Sequence, residues 1–140
     1  MSAPHIVNRE WDELDESFAA KLRAVIEQAN LESRKPGGTP KFPGFGRWEL
    51  FEGYRSQERQ NWLYAQGRRK DRPGPIVTWR KKSNHTSRRA ADVVWKDFAG
   101  NWRWDGDEGL WAILGHCARA HGLKWGGDWK MRDLPHIEAP

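Results

Sequence analysis

The chain has 140 residues, enough for one core of ordinary size, and its mean hydropathy of −0.94 stands beside ten tryptophans, so the expected core is aromatic-heavy. The net charge is +5, but nine Lys or Arg and one acid fall between Arg68 and Arg89, so that this segment carries +8 and the remainder −3. A single cysteine, Cys117, excludes an internal disulfide and the four-cysteine zinc sites, and no apolar run has the length of a signal peptide or a membrane span.

Residues 1–10 read as a flexible tail. From 11 to 29, Trp11, Leu14, Phe18, Leu22, Val25, Ile26 and Ala29 recur at three- and four-residue steps, which predicts an amphipathic helix. The Pro- and Gly-rich "SRKPGGTPKFPGFGR" (33–47) predicts a long irregular loop. "ELFEGYR" (49–55) predicts a strand, and Ser56 can cap the helix "QERQNWLYAQ", which Gly67 stops. Residues 68–82 form a basic loop around "IVTW". Val93, Val94 and Trp95 read as a buried strand with Asp92 at its mouth, turning through "KDFAGN" into "WRW" as a hairpin. Asp107 caps a further amphipathic helix bearing Leu110, Trp111, Leu114 and Ala118, which Gly122 ends. "LKWGGDW" and "LPHIE" are short extended pieces. The expected architecture is one α+β domain over 1–140, a small antiparallel sheet flanked by helices.

A carboxylate at a strand mouth is costly to desolvate unless a cation meets it, so Asp92 calls for Arg88, Arg89 or a metal ion. Among the five histidines, His5 lies in the tail, and His116 and His121 belong to the last helix as surface or packing residues. His85 and His136 stand at loop–strand junctions. With Asp92 they form a three-ligand set that leaves zinc a fourth position for water, as a site for catalysis requires. Hydrolysis there needs a base near the water and a donor for the developing oxyanion. Asp133 precedes His136 by three residues, and Glu138 follows it by two, on the same side of an extended segment. Both acids remain candidates for the base. Arg55, closing "GYR", is a candidate to hold a carboxylate or the oxyanion. The basic segment implies an anionic partner: nucleic acid, a membrane surface or a wall polymer. Only Trp79 interleaves with its charges, too little stacking surface for nucleic acid.

In order, "EGYRSQERQNWLYAQGR", "VT", "SNHTSRRAADVVW", "WGGDW" and "DLPHIE" resemble the zinc peptidases that cut D-amino-acid-containing bonds of peptidoglycan, a family that joins D-alanyl-D-alanine carboxypeptidases with L-alanyl-D-glutamate endopeptidases. The resemblance runs from Glu52 to Glu138. The family pattern Ser-x-His-x-x-Gly-x-Ala-x-Asp falls on Ser83, His85, Ala90 and Asp92, and Asp-x-x-His on Asp133 and His136. It implies one zinc per chain in a cleft, held by His85, Asp92 and His136. It also implies Asp133 as the general base, Arg55 near the scissile carbonyl, Ser83 in hydrogen-bonded support and Glu138 in a supporting or substrate-binding place. "RQ…LY…QGR" resembles the endopeptidase branch, and the implied role is a monomeric phage endolysin acting on peptidoglycan. Such a protein would be made in the cytoplasm without a signal peptide and reach the wall after release by a separate holin-type protein. The alternatives are D-alanyl-D-alanine carboxypeptidase and a non-catalytic wall-binding domain. Two departures stand out. Arg88 occupies the glycine position of the pattern, where a positive φ would strain it by ~1 kcal/mol, and the loop at 33–47 is longer than the family's and expected at the cleft edge.

Overall fold

The computed structural model describes residues 5–68, 74–78 and 83–140. Arg69, Lys70, Arg72, Arg80, Lys81 and Lys82 of the basic segment, and Trp79, lie outside the described residues.

Helix α1 spans Glu16–Glu32, not 11–29. Asp15 takes the capping position, its carboxylate accepting the Phe18 N–H at 3.0 Å, and Leu14 before it is extended and buried. Trp11–Glu13 therefore form a separate 3-10 turn. Phe18, Leu22, Val25 and Ala29 make the buried stripe that the spacing predicts. Burying each such large side chain contributes about 1.5–3 kcal/mol.

Strand β1 runs Phe45–Glu52, earlier at both ends than expected. Beyond Glu52 the backbone leaves the ladder: the Gly53 N–H donates to the Asn8 carbonyl at 2.8 Å and the Arg55 N–H to the His85 carbonyl at 3.1 Å. Those bonds also correct the expected tail, because Asn8 is docked and the Arg9 guanidinium lies 4.7 Å over the Phe51 ring. The expected loop at 33–47 ends at Gly44, since Phe45 is fully buried and pairs with Asp97. Gly46 permits that approach, for a Cβ there would meet the Lys96 carbonyl at 2.7 Å. What remains of the loop is closed on itself, with Lys35 N–H to Thr39 at 2.7 Å and Lys41 N–H to Ser33 at 2.9 Å.

Helix α2 covers Gln57–Ala65 with Ser56 accepting from the Arg59 N–H at 3.1 Å, as the sequence predicts. Strand β2, Ala90–Asp97, is the spine of an antiparallel sheet ordered β1-β2-β5-β4, where β4 is Lys124–Trp125 and β5 is His136–Glu138. The short β3, Trp102–Arg103, pairs with β2 through a turn in which Asp97 Oδ1 accepts from the Ala99 and Asn101 N–H groups at 3.0 Å each, giving the expected hairpin. Helix α3, Glu108–Ala120, starts where the Asp107 carboxylate caps Gly109. It packs with α1 against the sheet, and the core between them is aromatic: Trp48, Trp95, Trp111 and Trp125 are buried, with Trp48 and Trp111 edge to face at 5.2 Å. Cys117 is buried in that core and donates to Glu32 at 3.1 Å; burial first, then this contact, pushes its thiol up to about 12, so it stays protonated and inert.

Candidate metal centre

The ladder itself assembles the site. Asp92 is the third residue of β2, paired with Glu52 on one side and His136 on the other, so it lies inside the sheet and not at a strand mouth. The arginine beside it is neither of the two the sequence offered. Arg88 turns away to Glu13, while Arg55 stands 3.7 Å from Asp92 Oδ2. The other carboxylate oxygen, Oδ1, faces His85 Nε2 at 3.5 Å and His136 Nδ1 at 3.6 Å.

Each imidazole is oriented by its far nitrogen. His85 sits on the 3-10 turn Asn84–Ser87, where the Ser83 hydroxyl accepts its N–H at 3.2 Å. His85 Nδ1 donates to the Gly53 carbonyl at 2.8 Å, leaving the Nε2 lone pair toward Asp92. His136 Nε2 donates to Glu138 Oε1 at 2.7 Å, leaving its Nδ1 lone pair toward the same oxygen. Glu138 is held in turn by the Asn84 side-chain amide at 2.8 Å. Two imidazole nitrogens and a carboxylate oxygen, all within 4.8 Å of one another, make a donor set of the type zinc takes, with the second-neighbour hydrogen bonds that fix ligand tautomers. Ligand atoms ~2.0–2.2 Å from one tetrahedral centre stand roughly 3.4 Å apart, close to the separations seen at Asp92 Oδ1.

The electrostatics favour a cation here. Burial works to raise the Asp92 carboxyl, but the two imidazoles outweigh it and hold the group well below the usual carboxylate range. Burial pulls His136 down, and the nearby Asp92 carboxylate, then the hydrogen bond to Glu138, lift it to about 9. An anion that gathers protons onto its neighbours is a place where a dication can stand in for them.

The two acids that sequence spacing left tied are separated in space. Asp133 is half-exposed on the cleft with Oδ2 4.0 Å from His136 Nδ1, and burial followed by the Asp92 charge raises its carboxyl. Glu138 lies behind His136, buried, and does not line the cleft. The turn presenting Asp133 closes on Gly126, whose carbonyl accepts the Asp133 N–H at 2.9 Å; a Cβ on Gly126 would meet the Asp133 carbonyl at 2.3 Å, so glycine is required.

Arg55 depends on residues that spacing alone did not single out. Its Nη2 donates to Glu52 at 2.8 Å and its Nη1 to Gln60 at 2.8 Å, while Arg59 grips the other Glu52 oxygen. The Arg55 Nε is buried with no acceptor among the described residues. Glu52 resists burial by these hydrogen bonds, Arg59 before Arg55, and stays ionised. Glu52, Arg55 and Arg59 sit three and four residues apart across a strand end and a helix start, a spacing that is legible once the strand is known to end at Glu52.

These groups line a cleft of about 790 Å³, where Arg55, Ser83, His85, Asp92, Asp133 and His136 meet apolar walls of Phe51, Leu63, Val77, Trp104, Trp129 and Met131. The loop after α1 contributes nothing to it, contrary to the sequence expectation.

Arg88 has φ 65° and ψ 17°, the single non-glycine residue at positive φ among the described residues, as its place in the motif predicts. Its side chain explains why it is kept. Nη1 reaches the Glu13 carbonyl at 2.9 Å, the guanidinium lies 3.9 Å over the Tyr54 ring, and the Arg88 carbonyl accepts the Asp15 N–H at 2.9 Å. The αL strain of about 1 kcal/mol is therefore opposed by an exposed ion pair of about 0.2–1 kcal/mol and a cation–π contact of about 0.5–1 kcal/mol. Arg88→Gly should melt within a few degrees of the parent, without the gain that strain relief alone implies. Arg88→Ala, which keeps the strain and loses the clamp, should be the least stable of the three in thermal melts.

Residues 77–139, which hold the three facing donors and both acids, match the peptidase family described as D-alanyl-D-alanine carboxypeptidase, and the family resemblance is borne out over that stretch. The peptidoglycan L-alanyl-D-glutamate endopeptidase CwlK of Bacillus subtilis (strain 168) is 36% identical over 99 residues, which cover 64% of this chain and 58% of that protein. The chain thus spans less than two thirds of this relative's length. The fold is similar to that of the L-Ala D-Glu endopeptidase ChiX of Serratia marcescens, with a TM-score of 0.59 at 23% identity over 96% of this chain and 89% of the other.

Proposed function

We propose that this chain is a single-domain zinc peptidase that hydrolyses the L-alanyl-D-glutamate bond of peptidoglycan stem peptides, in the role of an endolysin. The observation that carries the reading is the convergence of His85 Nε2, His136 Nδ1 and Asp92 Oδ1, each imidazole already oriented by a partner on its far side. In this reading His85, Asp92 and His136 hold the zinc, which when bound supplies Lewis acidity that acidifies a water and polarises a carbonyl. Asp133, on the cleft and with a raised pKa, takes the proton of the attacking water and passes it to the leaving amine. Arg55, locked by Glu52 and Gln60, presents its buried guanidinium to the substrate's carbonyl or carboxylate. Ser83 holds the turn of His85, and Glu138 holds His136.

No helix among the described residues is long and apolar enough to cross a membrane. Action as a monomer, after cytoplasmic synthesis and release by a holin-type partner, completes the endolysin reading. The description of the matched family keeps one alternative, D-alanyl-D-alanine carboxypeptidase. Mass spectrometry of digested peptidoglycan separates them. New peptides that begin with D-glutamate are expected, and release of terminal D-alanine without internal cleavage would move the assignment to the carboxypeptidase.

A further inference from the structure

We propose that the exposed indole of Trp104 forms a sugar-stacking subsite of the cleft and takes the pyranose ring of the muramic acid that bears the stem peptide; this rests on the peptidoglycan reading above. Three aromatic rings run edge to face along this part of the sheet: Trp102 to Phe51 at 5.0 Å and Phe51 to Trp104 at 4.6 Å. The first two are covered. Arg9 lies 4.7 Å over Phe51 and 5.1 Å over Trp102, and Lys96 lies 4.5 Å over Trp102. Trp104 is 52% exposed, lines the cleft, and has neither a cation over its ring nor a partner for its Nε1–H among the described residues.

The turn that presents this ring is tied to the core. Next to Trp104, the Asp105 carbonyl accepts from the indole N–H groups of two core tryptophans, Trp95 at 2.9 Å and Trp111 at 3.0 Å. The Asp105 carboxylate forms a two-point pair with Arg103, at 2.9 Å for each bond. A large indole thus stands in water on a fixed mount, so little conformational freedom is left to lose when something covers it. Indole offers a flat apolar face with one polar edge. A pyranose is its complement, a C–H face ringed by hydroxyls. The sugar also lies close to the reacting bond, in a cleft that Trp104 shares with the three donors: the L-alanine of the scissile bond is joined directly to the lactyl arm of muramic acid. One residue and that arm place the ring within roughly 7 Å of the bond at 3.3–3.6 Å per residue. A cleft of about 790 Å³ has room for more than a dipeptide.

The test compares zinc-loaded wild type and Trp104→Ala on the free stem tripeptide L-Ala-D-Glu-diaminopimelate and on the same tripeptide carrying N-acetylmuramic acid. Wild type should favour the muramoyl substrate in kcat/KM by about 3–10-fold, the worth of one good aromatic contact. Trp104→Ala should lose that advantage through KM, and Trp104→Phe should recover part of it. An equal proportional loss on both substrates, as stacking on a peptide side chain would give, overturns the proposal, and so does the lack of any muramoyl preference in wild type. If neither substrate is cut, the bond assignment fails, and binding of N-acetylmuramoyl-L-Ala-D-isoglutamine followed by indole NMR then decides the subsite. Shifts of the Trp104 indole signal with weaker binding in Trp104→Ala support it; equal binding by both proteins sinks it.

Discussion

Asp133→Ala should keep its zinc and its fold while turnover on a defined L-alanyl-D-glutamate peptide falls by about 10²–10⁴-fold, the usual contribution of a positioned general base. The expectation rests on where the carboxylate stands. It lines the cleft, is half-exposed, and is not among the three donors that converge, so its removal leaves those donors with every orienting bond they had. The turn that carries it is fixed by backbone bonds to Gly126 and His136, which alanine preserves. Glu138→Ala should fail differently. That carboxylate anchors His136 Nε2 at 2.7 Å, so its loss frees the ring and should weaken zinc affinity about 10–100-fold, with activity returning as zinc is raised. Elemental analysis beside turnover distinguishes the two. An Asp133→Ala enzyme with near-normal turnover, beside a Glu138→Ala enzyme that is inactive while zinc-loaded, would reverse the two roles.

That His85, Asp92 and His136 come together was legible in the sequence chiefly through the resemblance of the segments that carry them, since their spacing alone is also met by chance. The strand pairing that brings them together was not, for a physical reason. Asp92 pairs with Glu52 and His136 only through the register of β1, β2 and β5, and register is a property of three segments together. The strand seemed to start at Val93 because Ala90 and Ala91 are small; packing, which periodicity does not report, draws both into the ladder. Helix α1 starts at Glu16 because the Asp15 carboxylate accepts the Phe18 N–H, a capping bond that apolar spacing does not report. Backbone partners leave no mark in side-chain patterns at all, which is why the Gly53 carbonyl behind His85 could not be read in advance. Arg88 was the opposite case. A side chain at a position that asks for glycine is visible in a single sequence, and its positive φ follows.

His85→Ala and Asp92→Ala should each leave the purified protein far below one zinc per chain, abolish hydrolysis, and lower the melting temperature of the zinc-supplied protein. A metal that binds only the folded state adds about 2.7 kcal/mol at one hundred times its Kd, which in a chain of this size corresponds to roughly 10 °C. The two variants need not lose the same amount. His85 is held by a backbone carbonyl, so its removal opens a buried space and leaves the Gly53 carbonyl without its donor. Asp92 is the anion between two imidazoles and the Arg55 guanidinium, so Asp92→Ala also leaves Arg55 with Glu52 as its remaining carboxylate. The apo forms should therefore differ, and the gap between apo and zinc-loaded melts, rather than the melts themselves, reports the ligand role. That gap should be large in the parent, small in both variants, and largely intact in Asp133→Ala. Chelation should take the parent down to its apo melt and stop hydrolysis, and added zinc should restore both. Undiminished hydrolysis in metal-free protein, or a parent-sized gap in His85→Ala, would mean that these side chains do not hold the metal, and the convergence at Asp92 would then have to be read as a buried charge network serving the fold.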